Sequence, residues 1–369
     1  MSQKKSKALL KKEIKGVEKV GFDISEKVRC GSFLQIDNKG SYSSCRNEGV
    51  EVMPTSEALR KYSWLKKYFW KAVDRNKDRY TKEVARFSQE GYFIRAKRGV
   101  KAEVPIQACL YIKTKNIHQR VHNIIIAEEG ASLNIITGCT IAPQIYSGTH
   151  IGISEFFIEK NAKVFFTMIH SWAKDTIVRP RTAALLKENA QFISNYISLK
   201  EVKNLQMYPM AYLKGKGAVC RFNSILVAPK RTFLDVGSGV LLQSKKTRAE
   251  IIARALSSGG KIISRGRIVG EADQSKAHLE CKGLILKKEG EIDAIPELEG
   301  KTINSNLSHE AAVGKINEEE IEYLMARGIS RDKATAMIIR GFLNIDIKGL
   351  PDSLDKETKK AISLAGSSF

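Results

Sequence analysis

From about residue 90 to 305 the chain alternates short runs rich in Ile, Val, Leu and Phe with tight polar turns that close on a small residue. Four units are clear. Glu128-Glu129-Gly130-Ala131 precedes the run 132–138, Glu159-Lys160-Asn161-Ala162 precedes 163–169, Lys187-Glu188-Asn189-Ala190 precedes 191–197, and Lys214-Gly215-Lys216-Gly217-Ala218 precedes 219–225. Gly130, Asn161, Asn189 and Gly217 lie 31, 28 and 28 residues apart, and Gly and Asn accept the left-handed backbone that a tight turn demands. Units of this length cannot bury an apolar face alone and do so by stacking, so the repeat predicts a β-solenoid; the pattern also permits an open β-sandwich. The repeat weakens after 220, although Ser258-Gly259-Gly260 and Lys288-Glu289-Gly290 precede further apolar runs.

The flanks have a different texture. Residues 1–84 read as a helical, basic leader with a turn-rich insert at Asn38-Lys39-Gly40-Ser41. Between Arg60 and Lys82 nine basic and two acidic residues interleave with Tyr62, Trp64, Tyr68, Phe69 and Trp70. Apolar residues at 64, 65, 68, 69, 72 and 73 predict an amphipathic helix that docks its aromatic face on the body; the competing reading is a basic helix whose aromatics stack on bases. Past 307, Asn317 with Glu320 forms a capping box for a helix that stops at Gly328, and Ser330 caps a second helix with the stripe Ala334, Met337, Ile338 and Phe342. A third, Lys-rich helix is expected over 353–365. The expected organisation is therefore a helical region 1–84, a solenoid 85–306, and a helical region 307–369 that caps the solenoid or docks a partner.

Charge changes the picture only in part. Over 369 residues, 62 Lys and Arg against 40 Asp and Glu give a net +22, which raises nucleic acid, anionic membrane and acidic partners as ligands. The basic residues are spread over the leader and the solenoid turns without a reader motif, so nucleic-acid binding rests on charge alone. No apolar run reaches the ~18 residues of a membrane span, and Lys11-Lys12 follows Leu9-Leu10 at once, so neither membrane span nor signal peptide is expected and the expected compartment is cytoplasmic. The six cysteines, at 30, 45, 109, 139, 220 and 281, are too dispersed for a paired-cysteine metal motif or a disulfide framework. With no P-loop, zincin or nucleophile-elbow motif, the chain is not expected to be an enzyme by itself.

The segment from Leu307-Ser308-His309-Glu310 through Lys315-Ile316-Asn317 to Tyr323-Leu324-Met325-Ala326-Arg327-Gly328 and Ile339-Arg340-Gly341-Phe342 resembles the C-terminal signature of the SufB/SufD family, the scaffold proteins of SUF iron-sulfur cluster assembly. Ser264-Arg265-Gly266, His278-Leu279-Glu280-Cys281, Gly138-Cys139-Thr140-Ile141-Ala142-Pro143, His170-Ser171-Trp172 and Lys97-Arg98-Gly99-Val100 resemble segments of the SufB branch. The resemblance implies a right-handed parallel β-helix flanked by helical ends, which resolves solenoid against sandwich. It also implies pairing through the β-helix with a second copy or a SufD-like partner, and docking of a SufC-type ABC ATPase on the C-terminal helices.

The site follows from the same resemblance. Cys281 matches the branch's cluster-site cysteine and sulfur acceptor, His309 and Glu310 match its "H-E" pair as iron ligands, and Cys139 matches a cysteine that relays sulfur inward. His309 lies 28 residues beyond Cys281, about one upstream coil, so adjacent coils are expected to bring thiolate and imidazole to one face. Thiolate is the soft ligand that holds iron, and imidazole and carboxylate complete its ligation. Flanking Lys282 and Arg267 are expected to favour the thiolate. His278 and Glu280 are weaker candidates, with Glu280 on the face opposite Cys281. A transient iron-sulfur cluster is the implied cargo, with a cysteine desulfurase or free sulfide as sulfur source and reduced flavin as a further cofactor of the system. Tyr111, Lys113 and Val178-Arg179-Pro180-Arg181-Thr182 depart from the bacterial relay path, and the short N-terminal region suits a minimal, archaeal type in which one SufB-like protein works as a homodimer with SufC alone. A nucleic-acid-binding solenoid and a SufD-like structural subunit are the other readings.

Overall fold

The computed structural model describes residues 11–87 and 90–344; the helix expected over 353–365 lies outside the described residues. The body is a parallel β-solenoid of about eight coils. One sheet stacks β5 (Lys101–Ile112), β7 (Ser132–Ile141), β9 (Lys163–Ser171), β12 (Gln191–Ser198), β15 (Val219–Pro229), β17 (Arg248–Ser258), β19 (Lys276–Ile285) and β21 (Asn306–Gly314). The facing sheet runs from β4 (Tyr92–Ala96) through β6 (His118–Ala127), β8 (Ser147–Ile158), the split pairs β10 (Asp175–Val178) with β11 (Arg181–Leu186) and β13 (Asn204–Met207) with β14 (Met210–Leu213), to β16 (Phe233–Leu242), β18 (Lys261–Gly270) and β20 (Glu291–Gly300). The splits fall at Pro180 and Pro209, residues with no N–H to give the ladder. Inward side chains of both sheets fuse into one core running from Phe33 to Ile292.

The turns stack as the repeat predicted. Gly130, Asn161, Asn189 and Gly217 all have positive φ, between 54° and 71°, and each donates its N–H to a carbonyl of the next coil's turn: Lys160, Glu188, Lys216 and Lys245 respectively. The column runs on through Lys246 (φ 62°) and Gln274 (φ 60°). These residue types do not announce a left-handed turn, which is why the repeat fades in the sequence after 220 while the coils continue.

The N-terminal region is only partly helical. Residues 31–54, inside the segment expected to be a helical leader, form β1 (Gly31–Ile36), β2 (Lys39–Cys45) and β3 (Val50–Pro54). β1 and β2 are an antiparallel hairpin, and β1 pairs in parallel with β5, so the hairpin covers the edge that the first coil would otherwise leave bare. Phe33 and Leu34 are fully buried on opposite faces of β1, and burial on both sides overrides the polar surroundings. Among the described residues of this region, helix is found in α1 (Lys11–Glu18), α2 (Thr55–Lys61), a 3₁₀ turn (Ser63–Lys67) and α3 (Arg79–Phe87).

The aromatic segment does dock on the body, with the Tyr68 ring 4.8 Å from that of Phe157, but not as one helix. The buried Glu155 carboxylate accepts from the backbone N–H groups of Trp70, Ala72 and Val73 at 2.7, 2.6 and 3.0 Å and sits 2.7 Å from His122 Nε2. That anchor takes the N–H groups a continuing helix would use, and Trp70 leaves it with φ +58°.

At the other end the solenoid extends to Gly314 rather than 306. Two helices follow, α4 (Glu318–Ala326) and α5 (Arg331–Leu343). The Asn317 side chain caps α4 by accepting from the Glu319 N–H, and Gly328 takes φ +82° where the helix was expected to stop. On α5 the buried positions are Ala334, Ile339 and Leu343, while Met337, placed in the stripe by sequence, faces solvent. Ile339 and Leu343 pack over Ile169, Ile197 and Ile225, register partners on the outer face of the first sheet.

Candidate functional site

Strand β19 carries the cysteine of interest, and strand alternation sorts its neighbours. Leu279 and Cys281 point into the solenoid, whereas His278, Glu280 and Lys282 belong to the outer face. Cys281 is 1% exposed and belongs to the core. The bore is tight here because the facing strand presents Ser264 and Gly266: a Cβ on Gly266 would lie 2.1 Å from Leu279. Ser264 Oγ donates to Cys281 Sγ at 3.8 Å. Burial pushes the Cys281 thiol up; the Ser264 hydrogen bond opposes this, Glu280 adds to it, and Arg254 opposes it.

The activation expected from Lys282 and Arg267 is absent, and the cation that does act on the thiol is Arg254. Lys282 turns outward onto Glu280 and Glu310, at 3.2 and 3.1 Å. Arg267 pairs with Glu297 and Glu299 on the outer face of the other sheet. Alternation accounts for both: neighbours of an inward residue on its own strand point out.

Register decides what stands beside the thiol. β19 and β21 pair with Leu279 opposite His309, Glu280 opposite Glu310, and Cys281 opposite Ala311. His309 thus shares the inward face with Cys281 but is displaced by two residues and one strand, a Cα separation of about 8 Å from strand geometry. It is exposed, β21 being the last strand of its sheet among the described residues. Glu310 lies on the opposite face, where ligand atoms of His278, Glu280 and Glu310 all fall within 4.8 Å of one another. Arg254 Nη2 lies 2.5 Å from Glu280 Oε1, and His278 Nδ1 is 2.9 Å from Ser308 Oγ. Burial raises the Glu280 carboxyl, but Arg254 and Lys282 outweigh it and hold the group below its ordinary value. The arrangement offers a protected thiol on one side of the last coils and an imidazole-carboxylate trio on the other.

Comparison with known proteins places this geometry. Residues 110–342 match the family described as "SUF system FeS cluster assembly, SufBD core domain". The chain is 52% identical over 349 residues to an iron-sulfur cluster assembly SufBD family protein of Archaeoglobus fulgidus, covering 95% of this chain and 94% of the relative. The chain belongs to the SufBD family. Further SufBD relatives include one from Methanothermobacter thermautotrophicus (strain Winter), 46% identical over 94% of this chain and 86% of the relative, and one from Pyrococcus horikoshii, 31% identical over 93% of this chain and 78% of its own length.

Within the SufBD solenoid, Cys139 on β7 is fully buried and points inward, in register with Leu110 and His170. Burial, then Cys109, push its thiol well up. Five strand-to-strand steps separate its rung from that of Cys281, about 24 Å at ~4.8 Å per step, so the two sulfurs share one bore without contact. Sequence reasoning left His278 and Glu280 in minor roles and missed Ser264 and Arg254. Ser264 stood in the quoted Ser264-Arg265-Gly266 run; Arg254 had no signal, since its place beside Lys282 follows from the β17–β19 register.

Proposed function

We propose that this SufBD protein is a SufB-like scaffold on which a nascent iron-sulfur cluster is built, the cluster being cargo rather than a resident cofactor. The supporting observation is the composition of the terminal coils: a thiol, two histidines and two carboxylates gather on β19 and β21, at the end of the solenoid whose outermost strand has no partner on its far side among the described residues. Cys281 accepts sulfur and ligates iron with His309 on the inner face, and Glu310, with Glu280 and His278 beside it, offers further iron ligands on the outer face that opening of the terminal coils must bring to the thiol. Cys139 serves as an upstream relay for persulfide sulfur handed over by a cysteine desulfurase, the donor's thiolate leaving as the sulfane sulfur moves to Cys139.

A thiol this buried and this weakly acidic does not meet iron in the closed solenoid. Iron binding releases the thiol proton, so the terminal coils must part first. The proposed drive is a SufC-type ABC ATPase docked on α4 and α5, whose outer surface exposes Tyr323, Met325 and Met337, acting on a homodimer joined through the outer edge of β21. Anaerobic reconstitution with iron and sulfide tests the reading. Wild type is expected to develop a visible-absorbing chromophore that Cys281→Ser lacks; equal colour in both proteins would remove Cys281 from the ligand set.

A further inference from the structure

A cavity lies away from Cys281. It occupies about 880 Å³ between the outer face of the first sheet and the C-terminal helices, within the size range of small-molecule sites, ~300–1,000 Å³. Ile169, Leu199, Leu286, Ile316 and Ile339 give it an apolar lining. Lys19, Lys200, Lys230, Lys287 and Lys315 also line it, all of them solvent-accessible.

The lining's acidic groups do not offset these charges. Glu318 is taken by Arg331, at 2.8 and 2.6 Å, which leaves Glu201 as the other carboxylate of the cavity. Among the described residues none of the five lysine ammonium groups makes an ion pair or a hydrogen bond, although lysines elsewhere on the solenoid, such as Lys160 with Glu188, are paired. Burial, and then Lys19, push the Lys200 ammonium below its ordinary value. Like charges gathered at one mouth repel each other, and an anion seated among them removes that repulsion. A carboxylate brings one charge to five cations; a diphosphate brings two or three in the same compass.

We propose that this cavity binds an organic phosphate of nucleotide size, with its phosphates among the lysines and its ring system on the isoleucine and leucine lining. The lysines come from the leader (Lys19), from the ends of the solenoid strands (Lys200, Lys230, Lys287) and from the segment entering α4 (Lys315). A ligand held by all three staples the C-terminal helices to the solenoid. This inference is independent of the cluster reading.

Titration calorimetry on the full chain with ADP, inorganic pyrophosphate and adenosine as probes tests it. ADP is expected to bind with one-to-one stoichiometry, more weakly as salt rises, and pyrophosphate alone about tenfold more weakly. Lys200→Gln combined with Lys230→Gln should weaken ADP by about tenfold or more without lowering the melting temperature, while Lys216→Gln, at a turn on the other edge of the sheet, leaves affinity within about twofold. Absence of saturable ADP binding at millimolar concentration overturns the site. ADP binding that ignores the lysine substitutions overturns the placement. Pyrophosphate or adenosine binding as tightly as ADP overturns the two-part ligand.

Discussion

Cys281 and Glu310 are 29 positions apart, yet they face opposite sides of one sheet because the coil that joins them is 30 residues long. Upstream coils of 28 match the Cys281–His309 spacing, which is why sequence put thiol and imidazole on one face; the 30-residue last coil keeps them on that face but sets Ala311 directly beside the thiol and His309 two residues away. The alternation that sets Glu280 opposite Cys281 was legible, since period two survives any coil length. The cation's role was not, because Lys282 is adjacent to the thiol in sequence and turned away from it in space. Lys282 occupies the gap between two carboxylates that a ferrous ion would share, so Lys282→Gln should tighten ferrous binding several-fold in anaerobic dialysis. Unchanged affinity would remove Glu280 and Glu310 from iron ligation.

Buried histidines give a second prediction at this scale. Burial pushes His150 down to about 3, and burial followed by His150 pushes His170 well below its ordinary 6.5. Both are neutral inside the solenoid, with Tyr196 Oη 2.8 Å from His170 Nδ1. A group whose folded value is depressed favours the folded state above the unfolded value and loses that contribution as pH falls toward the folded one. The urea midpoint should therefore drop between pH 6.5 and pH 4, and less steeply in His170→Gln. A midpoint with the same pH slope in both proteins would contradict the assignment.

At the scale of elements, the left-handed turn column separates what the sequence disclosed from what it hid. Gly130, Asn161, Asn189 and Gly217 disclosed it; Lys246 and Gln274 adopt the same backbone at a cost of roughly 1–2 kcal/mol each for a residue with a Cβ. Lys246→Gly is thus expected to raise the denaturation midpoint. Gly217→Ala should lower it, since a Cβ there would lie 2.5 Å from Asn189 Oδ1; unchanged midpoints would mean the turns carry no strain. The Glu155 anchor belongs to the same scale and was invisible beforehand, because its partners lie 82–85 residues upstream. The aromatic segment read as a helix by spacing is instead pinned at Trp70, Ala72 and Val73. Glu155→Ala orphans those donors and should destabilise the chain by about 3 kcal/mol or more, with loss of near-ultraviolet signal from the unpinned aromatics.

For the whole molecule, repeat spacing pointed to the solenoid, the family resemblance separated it from a sandwich, and capping signals gave the two C-terminal helices, whereas the hairpin cap at residues 31–45 was not legible, because its stability comes from pairing with β5 rather than from its own composition. The +22 charge suggested nucleic acid, but many basic groups are paired along the stacking direction, Lys261 with Glu291 and Lys301 with Glu271 among them. The edge of β21, unpaired among the described residues, and the exposed side chain of Val313 predict a homodimer of the 41.2 kDa chain. Native mass measurement should give twice that mass for wild type and the monomer for Val313→Lys; a wild-type monomer would send the scaffold in search of a different partner subunit. Capture by a SufC-type ATPase should fail when residues 317–343 are deleted, and undiminished capture would relocate the docking surface.

The most direct test of the central claim is iron K-edge X-ray absorption on the anaerobically reconstituted chain. The terminal-coil site predicts mixed sulfur and light-atom ligation in wild type, with the light-atom shell reduced in Glu310→Gln and the cluster signal lost in Cys281→Ser. A wild-type spectrum that persists unchanged in both variants would place the cluster elsewhere on the protein.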